Sequence, residues 1–372
     1  MDFLVSDYQT DHVSIADTVV LEDCILHKDR KTTAGSRIMA GFTAPLDATV
    51  VTRLANRGTK ILGKAAMDEF GVGRVFVDGE ESLSGAVAAV AADYTEAALC
   101  NDFSGKIRRQ APSNGVCYIH PTYGTVSRYG LIPMISSMDQ IGVACKDVVR
   151  GFEMLSAIAG KDAGDGAMFP EESYSYQSTG KPVVGIPVNV MAKTPEKEQK
   201  PVLDFASRFR TKNVELSYFE VYSQVMYILG CAEISNNINR YDGIKMGYRT
   251  EDYRTLNELY LKTRTEGFGL DVKLAAVMGS MVLSKDSYEP LYEKAMRIRR
   301  LIKESLTFDG YDLIALPAWP DAEPYEQIAL YALATLAGLP SLSVPYQGGT
   351  VQLVANVKNE GALLAAWQEV TP

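Results

Sequence analysis

The sequence predicts a single α/β domain. Two observations carry that expectation. Short apolar, β-leaning runs recur along the chain, among them Val19–Leu26, Thr59–Gly63, Ala97–Cys100, Pro182–Pro187 and Leu313–Pro317, and segments with apolar residues at helical spacing separate them. The 372 residues contain no internal repeat and no low-complexity tract that would mark a linker, and one continuous α/β core is common at this length.

In chain order, Val19–Leu26 reads as a strand and His27–Ser36 as a polar loop. Ala48–Arg57 carries Val50, Val51 and Leu54 at helical spacing, and Thr59–Gly63 is a short strand that delivers Lys64 at its end. Ligands of open α/β sheets gather at the carboxyl ends of strands. Ser84–Asp93 is a helix of small residues, and Ala97–Cys100 a strand. The turn Asn101-Asp102-Phe103-Ser104-Gly105-Lys106 follows, of the kind whose backbone N–H groups can face a developing negative charge. Further on come helices at Asp147–Gly160 and Thr194–Arg210, a strand at Val214–Val221, and helices at Ala232–Arg240 and Leu256–Thr265. Tyr288–Leu306 is a long helix whose Lys294, Arg297, Arg299, Arg300 and Lys303 spread around a solvated face. A strand and a closing helix end the chain.

Composition narrows the function classes. The net charge is −9 and the cations form no cluster, so direct nucleic-acid binding is not expected. The five cysteines are odd in number and lack C-x-x-C spacing, which reads as reduced thiols in a cytoplasmic protein, with no disulfide and no metal site. The first residues lack the layout of a signal peptide, and no run reaches the length of a membrane span.

The segment from Ser82 to Asp147 resembles the amidase signature family, most closely the A subunits of glutamyl-tRNA(Gln)/aspartyl-tRNA(Asn) amidotransferases. The resemblance rests on Asp102, Gly105, Ile107 and Arg108 (against D-T-G-G-S-I-R), on Pro121-Thr122-Tyr123-Gly124, on Ser127-Arg128-Tyr129-Gly130-Leu131, and on Ser136-Ser137-Met138-Asp139-Gln140-Ile141-Gly142. Outside it, Gly63 to Phe70 resembles G-K-T-N-M-D-E-F, Arg240-Tyr241-Asp242-Gly243 resembles R-Y-D-G, and Ala334 to Pro345 resembles N-L-A-G-L-P-A-I-S-V-P. The resemblance implies an amidase-signature fold over the whole of 1–372, with a central mixed β-sheet covered on both faces by helices. It implies no cofactor, glutamine as a small amide substrate, and B- and C-type partner subunits. Relatives carry a helical N-terminal portion that this sequence lacks, so the chain reads as truncated at its start.

The family hydrolyses amides with a serine nucleophile, a bridging serine and a neutral lysine, with backbone N–H groups holding the oxyanion. By the same resemblance Lys64 is the base and Ser82 the bridging serine. The nucleophile position holds Lys106, in a register fixed by Asp102 and Arg108. A lysine cannot replace that hydroxyl, which predicts a catalytically impaired protein with a scaffold or partner role. Two ammonium groups in one pocket repel unless an acid separates them, and Asp102, Glu80 and Glu81 are the candidates for a salt-bridged plug. Glu80, Glu81 and Ser84 replace loop glycines, leaving open either a retained strained peptide at Ser82 or an ordinary loop capped by Ser82 or Ser84. Arg264 stands where relatives contact the amino-acid end of glutamine, or else is a helix-terminal cation facing water; Asp321 is the nearest aspartate for the α-amino group. The alternatives are an active amidase or glutaminase using Lys64 with a displaced serine such as Ser104, and a lysine amine attacking carbonyl compounds.

Overall fold

The computed structural model describes residues 3–8, 15–73, 81–318 and 323–371. One sheet of eleven strands forms its middle. The strands are β1 (Leu4–Asp7), β2 (Thr18–Glu22), β3 (Lys60–Ala65), β4 (Ala97–Asn101), β5 (Cys117–His120), β6 (Ile141–Cys145), β7 (Val183–Pro187), β8 (Arg210–Val214), β9 (Leu313–Pro317), β10 (Ser341–Tyr346) and β11 (Gly349–Ala355). They lie in the order β1-β3-β2-β4-β6-β5-β10-β11-β9-β7-β8. The sheet is mixed: β2 runs parallel to β3 and β4, and β7 parallel to β8 and β9, while the centre is antiparallel.

The helices are α1 (Thr49–Arg57), α2 (Gly85–Ala91), α3 (Lys106–Ser113), α4 (Val148–Ile158), α5 (Val188–Met191), α6 (Glu196–Ala206), α7 (Tyr222–Asn237), α8 (Leu256–Gly267), α9 (Leu270–Val282), α10 (Lys294–Ser305), α11 (Pro324–Ala337) and α12 (Glu360–Val370). Helices α2 and α3 cover one face of the sheet around Val20, Ala98, Cys100, Tyr118 and Ala144. The other face, with Leu21, Leu99, Ile119 and Val143, packs under α4. This two-faced coverage is why β4, β5 and β6 are buried along their whole length instead of alternating.

Most expected elements are present with shifted ends, and several expectations change. The strand expected at Val214–Val221 lies at Arg210–Val214, where the sequence RTKNV is polar and exposed. As the edge of the sheet, β8 is fixed by backbone pairing with β7, with little demand for apolar side chains. The helix expected from Ala232 begins at Tyr222, and α9 was not expected at all. Arg299 turns inward, donating to the Leu336 carbonyl at 2.8 Å and to the Ser137 hydroxyl and carbonyl at 2.9 Å each.

A further change concerns Lys64. It sits within β3, one residue before the strand ends, and not beyond it. In the parallel register Leu21 lies beside Lys64 and Glu22 beside Ala65. Since strand side chains alternate between faces, Lys64 shares the face of Leu21, and Glu22 that of Ala65, Val20 and α2.

Candidate active site

Helix α3 is held in place by an internal clamp. Gly105, at φ +84°, is its N-cap, and a Cβ there would meet Tyr331 Cβ at 2.3 Å, so only glycine lets the turn lie against α11. Asp102 accepts from the Gly105 N–H at 2.8 Å and from the Arg108 N–H and Nε at 3.0 Å each. Arg108 is fully buried; its other donors reach the Tyr331 carbonyl at 2.9 Å and the Thr335 hydroxyl at 2.7 Å. Thr335 donates in turn to the Phe103 carbonyl at 3.0 Å. The Gly105 N–H is therefore spent inside the turn and does not face outward toward an oxyanion.

Lys106, the first residue of α3, is 7% exposed and its ammonium bonds Asp68. Asp68 also accepts from the Ser82 hydroxyl at 2.6 Å, so one carboxylate joins both residues. Lys106 does meet a carboxylate, but it is Asp68 of the Gly63–Phe70 stretch and none of the three acids expected from the sequence. Asp102 is committed to Arg108, Glu81 pairs with Arg109, and Glu80 lies outside the described residues. Among the described residues there is no cis peptide bond. Ser84 occupies the N-cap position of α2 without a side-chain capping bond, and Gln110 instead holds this loop, accepting from the Ser84 N–H and donating to the Ser82 carbonyl at 2.9 Å each.

Lys64 is not brought to Ser82 or Lys106. Its wholly buried ammonium donates to the Ile25 carbonyl, with the Thr32 hydroxyl at 3.5 Å and the Asp23 carboxylate at 3.8 Å. Burial pulls the Lys64 ammonium below the usual lysine range, opposed by Asp23, whose own carboxyl is raised by burial.

The group that shares the site is Glu22. It is 3% exposed and accepts from the Asn101 N–H at 2.7 Å. Burial pushes its carboxyl up to about 7, against the pull of the Asn101 bond and of Lys106. Glu22, Asp68, Ser84, Ser104, Asp102 and Lys106 surround a space of about 10 Å³, about the room of one water molecule. Sequence reading missed Glu22 and Asp68. The available signals were a carboxylate ending the apolar run Val19-Val20-Leu21, and an acid in the same short motif as Lys64.

The remaining expected residues lie apart. Arg264, on α8, donates to the Asn239 carbonyl at 3.2 Å and side-chain oxygen at 3.4 Å, tying the helix to the segment before Tyr241. Asp321 lies outside the described residues. Phe103 is buried and Ser104 half-buried, both lining a second cavity beside α7.

A sheet of this topology with a clamped turn at the mouth of β4 defines the class. A family model described as Amidase matches residues 18–77 and 82–364, and the chain belongs to that family, the amidase signature family its motifs resemble. Within it, the chain is 38% identical over 366 residues to the A subunit of the glutamyl-tRNA(Gln) amidotransferase from Lachnospira eligens, covering 87% of this chain and 76% of that protein. It is 37% identical over 368 residues to the same protein from Lachnoclostridium phytofermentans, covering 88% and 74%. The crystal structure of the corresponding Thermotoga maritima protein superposes with a TM-score of 0.77 at 26% identity, covering 100% of this chain and 88% of that one. No helix among the described residues is long and apolar enough to cross a membrane.

Proposed function

We propose that this chain is a non-hydrolytic counterpart of the amidotransferase A subunit, with a scaffold or binding role beside B- and C-type partners. The observation that carries the reading is the Lys106–Asp68 pair: the position that the family resemblance gives to the nucleophile holds an ammonium bound to a carboxylate. Three further features support it. The space left there is about 10 Å³, too small for an amide substrate. Ser82 donates to Asp68, and Lys64 is held on the opposite face of the sheet. The geometry does not favour Ser104 with Lys64 as a displaced pair, for the same reason. In a transamidating complex, ammonia would then reach the acceptor from solution or from another protein, and tRNA would be held by the partners.

The test is ammonia release. The unmodified protein is expected to release none above background from glutamine, asparagine or simple amides, and Lys106→Ser alone is expected not to restore release, because no lysine base faces position 106. Strong glutamine hydrolysis by the unmodified chain would end the reading. Co-purification with B- and C-type subunits tests the scaffold half, and its absence counts against it.

A further inference from the structure

A third cavity opens at the amino ends of α7 and α11. It offers about 260 Å³ of room, and its walls come from three separate segments: α5 with the residues just after it, the turn Phe219–Val221 with the start of α7, and the first two turns of α11. It is distinct from the cavity beside Ser104. Tyr227 lines that one and Tyr325 this one, and the two rings stack with centroids 5.4 Å apart, so the stack stands between them. Hydrogen bonds tie the walls to each other. The Ser223 hydroxyl donates to the Tyr325 carbonyl at 2.6 Å, joining α7 to α11. The Asn189 side chain donates to the Leu216 carbonyl at 2.9 Å and accepts from the Leu216 N–H at 3.0 Å, joining α5 to the chain that leads into the turn. Walls fixed in this way need little ordering when a ligand enters.

The chain itself shows what the rim accepts. The Lys193 ammonium lies 3.2 Å from the Glu220 carboxylate and 5.9 Å from the centre of the Phe219 ring, so an ion pair and a cation–π contact meet at one place. The Lys193 and Glu220 side chains keep 54% and 62% of their surface, and an ion pair that exposed contributes little, so the lysine can swing into water at small cost. Glu326 belongs to the same lining, which leaves two carboxylates to one ammonium among the described residues. Val190, Ala329 and Leu330 supply apolar wall. An apolar cavity of about 150 Å³ already holds a benzene ring, so there is room here for a ring and a short arm.

We propose that this cleft binds a small amphiphilic primary amine, with its ammonium at the Phe219 ring beside Glu220, in place of the Lys193 ammonium, and its apolar body against Val190, Ala329 and Leu330. A ligand carboxylate in the same place would face Glu220 and Glu326 and be repelled. The site makes no use of Ser82, Lys106 or the turn before α3, and the inference goes beyond the proposed function without resting on it.

Ligand-observed NMR on the full purified chain tests this with three probes that share one apolar body: 2-phenylethylamine, 2-phenylethanol and phenylacetate. Saturable binding of the amine is expected, weaker in 1 M salt, with the alcohol about tenfold weaker and no phenylacetate signal at the same concentration. Glu220→Gln is expected to weaken amine binding about tenfold and Glu326→Gln about threefold. Lys193→Ala removes the internal competitor and is expected to tighten amine binding about threefold, a gain that a merely structural role for this lysine does not produce. All three substitutions are at exposed side chains, where the fold is not at stake. Absent amine binding, phenylacetate bound as well as the amine, or an amine affinity unchanged by both Glu220→Gln and Lys193→Ala would each overturn the proposal. None of the probes carries an amide, so these outcomes are separate from those of the ammonia-release test.

Discussion

Arg108 and Lys106 leave the same turn of α3, and each meets an aspartate, but the two pairs differ in kind. Arg108 and Asp102 are wholly buried, six residues apart in sequence, and bound to backbone groups on both sides. Lys106, at the start of α3, and Asp68, in the stretch after β3, come from segments distant in sequence, and their side chains keep 8% and 18% of their surface. The first pair builds the turn and matches the family motif. The second occupies the space the turn presents, and there the sequence departs from the motif. A fold can thus keep the contacts that shape a loop while the residues displayed on it change, because the clamp uses Asp102, Gly105 and Arg108 and does not involve the side chain at 106.

The comparison is broken most directly at Arg108. Arg108→Ala leaves Asp102 buried without its partner, and urea unfolding followed by circular dichroism is expected to show a loss of about 3–5 kcal/mol. A loss under about 1 kcal/mol would mean that the clamp does not shape the turn. Glu22 comes next. Its carboxyl, raised from 4.5 to about 7, keeps a proton in the folded state that the unfolded chain has released. Stability contributed by this group therefore falls as pH rises through about 4.5 to 7, and the penalty is absent below that window. Glu22→Gln removes the dependence, so its stability relative to the parent is expected to improve by up to about 3 kcal/mol between pH 4 and pH 8. A parallel pair of pH profiles would place Glu22 outside the influence of burial. The smallest effect belongs to Asp68→Asn, which should cost about 1 kcal/mol or less because the pair is part-exposed, and less again in 1 M salt. A cost as large as that of Arg108→Ala would show that the two pairs do not differ in kind.

The sequence made the residues of the clamp legible as a motif, Asp102, Gly105 and Arg108 lying within seven residues, but not their pairing, since Asp102 was a candidate acid for the lysines and proves committed to Arg108. It also fixed Lys106 by counting from those three residues. The partner of Lys106 was not legible, since Asp68 is 38 positions away and reaches it only when the stretch after β3 folds back over α3. Glu81 and Asp102 were equally acidic and nearer in sequence, yet each is claimed by a neighbouring arginine. The fate of Lys64 turned on where β3 ends: two more residues of strand carry its side chain inside the alternation and onto the face opposite Glu22.

By itself, then, the chain determined its alternating strands and helices, the residues of its turn, and an amine at position 106, where the family resemblance expects a hydroxyl. All of these follow from residues close together along the backbone. Which carboxylate that amine meets, which face each strand residue sees, and how little room remains between α2, α3 and β2 were decided only when distant segments packed. Those outcomes depend on strand register and on competition among several acids for several bases, and neither is written in any single stretch.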